Sequence, residues 1–118
     1  MIMSVEKIAL VCHEANAAYC EMNGEPIQPA WDELTEETRK SIINGVWFHL
    51  ANPAAKPKDS HDKWMKDKAL AGWKYGLAKD PVLKEHPCMV EFKNLPPHQQ
   101  AKDLLFKNIV QALRGFLV

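Results

Sequence analysis

The sequence predicts a mainly α, compact domain of about four helices with a small antiparallel β-hairpin. Apolar residues recur at helical spacing in the stretches at residues 4–22, 35–52 and 97–115. Proline, glycine and an Asn-Gly pair punctuate the chain between them. Only two pieces, near 73–76 and 88–92, read as extended. With 118 residues the chain suits one domain, residues 1–118, built around one core.

Residues 4–22 form the first predicted helix, with Ser4 as its cap and Gly24 just past its end. Ile8, Val11, Cys12, Ala15, Tyr19 and Met22 make its expected buried face. His13, Asn16 and Cys20 stack as a neighbouring polar stripe. Leu10 and Ala17 fall on the far side and hint at a second contact surface. The stretch NGEPIQPAWDEL is a loop, and its Trp31 is expected to dock on the core.

Thr35 opens the second helix, and Glu36 and Glu37 complement the positive end of its dipole. Ile42, Ile43, Val46, Trp47 and Leu50 make its expected buried face, with Asn44 and Phe48 roughly opposite. Gly45 in mid-helix costs about 1 kcal/mol against alanine, so something must approach closely there. Pro53 ends the run. Asp59 or Ser60 is expected to cap a short third helix that runs to about Leu70, with Gly72 as its stop. AKDPVLKEHP would connect the two strands of the hairpin. Pro96 and Pro97 start the last helix, which runs to about residue 115. Its apolar residues, from Leu104 to Leu117, cover well over half its circumference. Such a helix is central to the core or buried on two sides, and the second side suits another subunit.

Fifteen basic and fifteen acidic residues cancel, which argues against a nucleic-acid partner. The N-terminus lacks a signal-peptide pattern and no run is apolar enough to span a membrane, so a cytoplasmic protein without membrane contact is expected. Cys12, Cys20 and Cys88 are odd in number, and the first two lie about 12 Å apart on one helix, too far for a disulfide. No histidine pair has metal-ligand spacing, so no metal or cofactor is expected. Nucleophile motifs, a phosphate-cradling glycine loop and a carboxylate dyad are all missing, so the chain does not read as an enzyme. Cys88 beside His86 is a thiolate pair only if the two meet in space.

The richest stretch is GWKYGLAKDPVLKEHPC, residues 72–88. Trp73 and Tyr75 alternate with Lys74, so both rings face one side of a strand. Lys79, Asp80, Lys84 and His86 follow. Rings that stack on a flat base, beside cations that meet a phosphate, suit a nucleotide. The same residues also suit plain packing with solvated lysines.

HDKWMKDKALAGWKYG, the KD turn and KEHPCMVEFKNLPPHQQAKDLLF together resemble the ryanodine receptor domain, the RyR repeat. CHEANAAYC and INGVWFHLANP resemble the front half of its small free-standing versions in bacteria and phages. The resemblance covers about residues 10–112. Two positions depart from the family pattern: Ala17 replaces an arginine, and Leu77 replaces a proline. The first removes a cation that would have met a phosphate. The resemblance implies a single RyR-type repeat with a small β-hairpin. Because such repeats occur in pairs in the large channels, it also implies a homodimer that re-creates the pair. It further implies a non-enzymatic binding module for an adenine-nucleotide or ADP-ribose-type signal molecule. The alternative is a protein–protein interaction module without a small ligand. By motif match the ligand-binding positions are His13, Asn16, Trp64, Trp73, Tyr75, Lys79, Asp80, Lys84 and His86. Trp73 and Tyr75 would stack on the base, Lys79, Lys84 and His86 would meet phosphates, and His13 and Asn16 would bond ribose or base edges.

Overall fold

A computed structural model describes residues 3–117. Its order is α1 (Val5–Met22), α2 (Glu36–Ala51), α3 (Pro57–Leu70), β1 (Lys74–Tyr75), β2 (Glu85–His86) and α4 (Pro97–Leu113), with 3₁₀ turns at Trp31–Glu33, Phe92–Asn94 and Arg114–Phe116. Helix α1 packs on α4 and α2, and α3 closes one side against α4 and α2. The core gathers Ile8, Ala9 and Cys12 of α1, Val46 of α2 and Val110 of α4, with Trp31 docked from the loop.

The helix starts follow local chemistry. Ser4 Oγ accepts the Lys7 N–H and Thr35 Oγ1 accepts the Thr38 N–H, each satisfying a donor the helix itself cannot. Helix α3 begins earlier than expected. Lys56, not Asp59 or Ser60, is its cap residue, Pro57 takes the first turn, and Asp59 Oδ2 reaches back to the Lys56 N–H.

Two buried faces are rotated from the expected ones. On α1, Val11 and Met22 are exposed, while Ala9, His13 and Cys20 are buried and Leu10 packs against the core. This helix is wedged between α2 and α4, so the strip it buries is not the one its most hydrophobic positions mark. On α2, Trp47 is 56% exposed and His49 is fully buried. The reason is Gly45. A Cβ there would lie 3.1 Å from the Phe106 ring, so the missing side chain admits α4. His49, one turn on, is carried against the same ring at 5.9 Å.

The expected antiparallel hairpin is not formed. β1 and β2 pair in parallel, Lys74 with Glu85 and Tyr75 with His86. The chain from Gly76 makes an antiparallel bridge between Asp80 and Glu85, and Lys84 turns it with φ 54°. That left-handed step sends β2 back alongside β1 in the same direction. Residues 88–92 form no strand. They lie as a loop on α3, where the Val90 carbonyl accepts from His61 Nε2 at 2.8 Å.

Candidate functional site: an aromatic corner beyond helix α3

Helix α3 ends in a tight reversal that builds the site. The Gly72 N–H bonds the Ala69 carbonyl and the Trp73 N–H bonds the Lys68 carbonyl at 2.9 Å. Gly72 holds φ 92°, which a side chain resists. This pair of bonds is the Schellman arrangement, and it brings the residue after the glycine back over the last helical turn. Trp73 therefore lies under Lys68, whose Nζ is 4.8 Å from the ring centroid. Lys68 was absent from the sequence-derived set. Its signal was a glycine four residues on and a tryptophan five residues on, the spacing of this reversal.

From Trp73 the rings continue inward. His86 meets Trp73 at 6.3 Å and Trp64 edge-on at 5.0 Å. Trp64 stacks on His61 at 5.6 Å, and His61 meets Phe92 at 5.9 Å. His61 and Trp64 share one face of α3 because they are three residues apart. Tyr75 lies on β1, 52% exposed.

His86 is not the cation the sequence suggested. Burial pushes it down to about 4, and Lys79, Lys68, Lys102 and His61 all press the same way. Its Nδ1 accepts the Cys88 N–H at 3.0 Å, which leaves the ring proton on Nε2. At neutral pH it is a neutral hydrogen-bond donor. Cys88 meets it through the backbone, and burial raises the thiol, so no thiolate pair exists.

The other named residues have different surroundings. Asp80 Oδ1 accepts the Val82 and Leu83 N–H groups and shapes the turn. Lys84 Nζ donates to the Ala71 carbonyl at 2.7 Å, a cation on the negative end of α3. Lys79 is exposed. His13 is buried, with Nε2 2.6 Å from the Pro29 carbonyl and Trp31 at 6.1 Å, so it pins the loop before α2. Asn16 lies half-buried on the same helix. The structure thus brings Trp64, Trp73 and His86 together, with Lys79 within electrostatic reach, and adds Lys68.

Two clefts lie nearby. One of ≈ 40 Å³, room for about one water, lies between α2 and α3, walled by Gly45, Phe48 and Trp64. The other, ≈ 440 Å³ and open, lies against Phe48 and the loop at Asn52–Ala55. Neither is lined by Trp73, Tyr75, Lys79 or His86. The corner is a surface of rings and cations. Among the described residues no cluster of three His, Cys, Asp or Glu side chains is placed to hold a metal, and no helix is long and apolar enough to cross a membrane.

A protein-family model described as the RyR domain matches residues 37–118. That span takes in α2, α3, both strands and α4, and with them the whole aromatic corner. Helix α1, with His13 and Asn16, precedes it.

Proposed function

The chain belongs to the RyR domain family, and from that membership we propose that it is a non-enzymatic binding module for a small adenine-nucleotide or ADP-ribose-type molecule. One observation carries this reading. Trp64, Trp73 and Tyr75 stand partly exposed around neutral His86 while the core is filled elsewhere, by Ile8, Val46 and Val110. Rings that the core does not need, beside lysines, suit a flat base carrying phosphates. His13, Asp80 and Lys84 then act on the fold around the site, because each is already engaged by backbone groups.

The test is a thermal-shift screen against ATP, ADP, NAD and ADP-ribose. A ligand at a hundred times its Kd adds about 2.7 kcal/mol, a rise of several degrees at this size. The expected result is a rise with one compound that is lost in Trp73→Ala. No rise with any of them removes the nucleotide reading.

A second reading has its own support. Leu70, Leu77, Val82 and Leu83 are all strongly exposed around the same corner. Such a rim suits a protein surface, and the domain would then be a protein–protein interaction module. We also propose that the domain works as a homodimer, through apolar side chains left outside the core on α2 and α4.

A further inference from the structure

We propose that Lys68, Lys79 and the His86 Nε2–H, gathered around the Trp73 ring, form an anion subsite for a phosphate group. The inference rests on the binding-module reading above and adds to it a specific set of donors.

Lys68 differs from the paired lysines of its helix. Lys58 pairs with Asp62 at 2.7 Å and Lys63 with Asp67 at 2.6 Å, each one turn along. One turn beyond Lys68 is Gly72, where the helix has ended, so that pairing pattern stops. The carboxylate that acts on Lys68 is Glu37, beyond ion-pair distance. Burial lowers the Lys68 ammonium below the ordinary lysine range, and Lys79 pushes the same way against Glu37. Two ammonium groups that repel one another beside a half-buried ring are stabilised by a counter-charge between them.

The remaining polar groups at the corner are donors. Trp73 Nε1 is shut away from solvent, so its N–H reports on the corner under Lys68 and does not itself reach an incoming anion. His86 Nε2 carries the ring proton because Nδ1 is taken by the Cys88 N–H. Two acceptors close by are in use. Asp80 Oδ1 holds two turn amides, and the Ala71 carbonyl holds Lys84. Glu85 lies 3.9 Å from Lys74, and as the neighbour of His86 on β2 it faces the other side of the sheet. An anion from outside would give these three donors a shared acceptor, and a phosphate offers several oxygens with charge. Lys102, the other lysine near His86, is held by Glu25 at 2.8 Å and is not part of the set.

The experiment is an NMR titration of the four tryptophan indole N–H signals with inorganic pyrophosphate, ADP, adenosine and phosphoserine. Trp73→Phe, which keeps a ring and loses the N–H, assigns the Trp73 signal. Saturable movement of that signal by pyrophosphate, weakened tenfold or more in Lys68→Gln and in Lys79→Gln, supports the subsite. The His86 ring should also titrate at higher pH with pyrophosphate bound. Equal binding by both lysine variants and the parent overturns the proposal, as does a Trp73 signal that pyrophosphate leaves still. Adenosine binding without any pyrophosphate response removes the subsite and spares the ring-stacking reading. A Lys68-dependent response to phosphoserine that exceeds the response to ADP keeps the subsite and removes the nucleotide. Melting of both lysine variants by circular dichroism confirms that they are folded when compared.

Discussion

His86 and Asp103 titrate in opposite senses on either side of His61. Asp103 is raised to about 7, chiefly by burial, with Lys102 pulling the other way. Its Oδ2 lies 4.0 Å from His61 Nδ1. The Val90 carbonyl only accepts, so His61 Nε2 carries a proton and Nδ1 is the ring atom turned toward the carboxyl. The signs follow from linkage. His86 at about 4 binds its proton later than an unfolded histidine at 6.5, so its contribution to stability is full above 6.5 and falls away toward pH 4. Asp103 at about 7 keeps a proton that an unfolded aspartate releases near 3.8, so its contribution is full below 3.8 and is lost as pH rises to 7. The two slopes oppose each other across one window. His86→Asn should raise stability at pH 4.5 relative to pH 8, and Asp103→Asn should raise it at pH 8 relative to pH 4.5, each on the order of 2 kcal/mol. Thermal melts at the two pH values measure this, and parallel slopes for the two variants would sink it. Little of it was legible in the sequence. The aromatic residues and His86 stood out as a group, but burial decides that His86 is neutral, and that depends on how closely Trp64 and Trp73 pack on it.

At the scale of elements, the two glycines of GWKYG do different jobs. Gly72 supplies a left-handed step that ends α3 and turns Trp73 back onto Lys68. Gly76 is needed for space, because a Cβ there would meet Glu85 Cβ at 2.5 Å. Since that atom is fixed to the backbone of β2, Gly76→Ala must push the two strands apart. We expect it to expose the Lys74 and Gly76 amides, which bond the Lys84 and His86 carbonyls, and to speed their hydrogen exchange at least tenfold. Unchanged protection in that variant would mean the strands are not held as described. Gly72→Ala should instead cost about 1–2 kcal/mol from the left-handed backbone, with the strand amides unaffected. The caps at Ser4 and Thr35 and the stop at Gly72 were legible because they depend on neighbours in sequence, whereas Lys56, the cap of α3, offers no capping side chain to mark it. Strand direction was not. It depends on Lys84 adopting a left-handed conformation, and nothing in a lysine announces that. The buried face of α2 was misread for a similar reason, since Gly45 marks where α4 arrives without saying which ring it brings.

For the whole molecule, the unused surface decides the last expectation. Helix α4 buries Val110 and sets Phe106 against Gly45, yet its Leu104 remains exposed, as do Phe116 in the 3₁₀ turn that follows and Trp47 on α2. With fifteen charges of each sign the protein has no net repulsion between copies near neutral pH. Large apolar side chains left outside a filled core, on a chain without net charge, favour association. A dimer would bring two such sets of side chains together. Light scattering behind size exclusion should therefore return twice the 13.4 kDa chain mass. Small-angle scattering should exceed the 13.9 Å radius of gyration of one chain. Leu104→Lys and Phe116→Lys should each shift the mass toward that of the single chain, because a lysine desolvated in an apolar contact is costly. Both changes are at exposed positions, so the monomer fold should survive them, and circular dichroism would check that. A single-chain mass for the parent protein at high concentration would end the dimer reading. It would leave the aromatic corner untouched, because every residue of that corner comes from one copy.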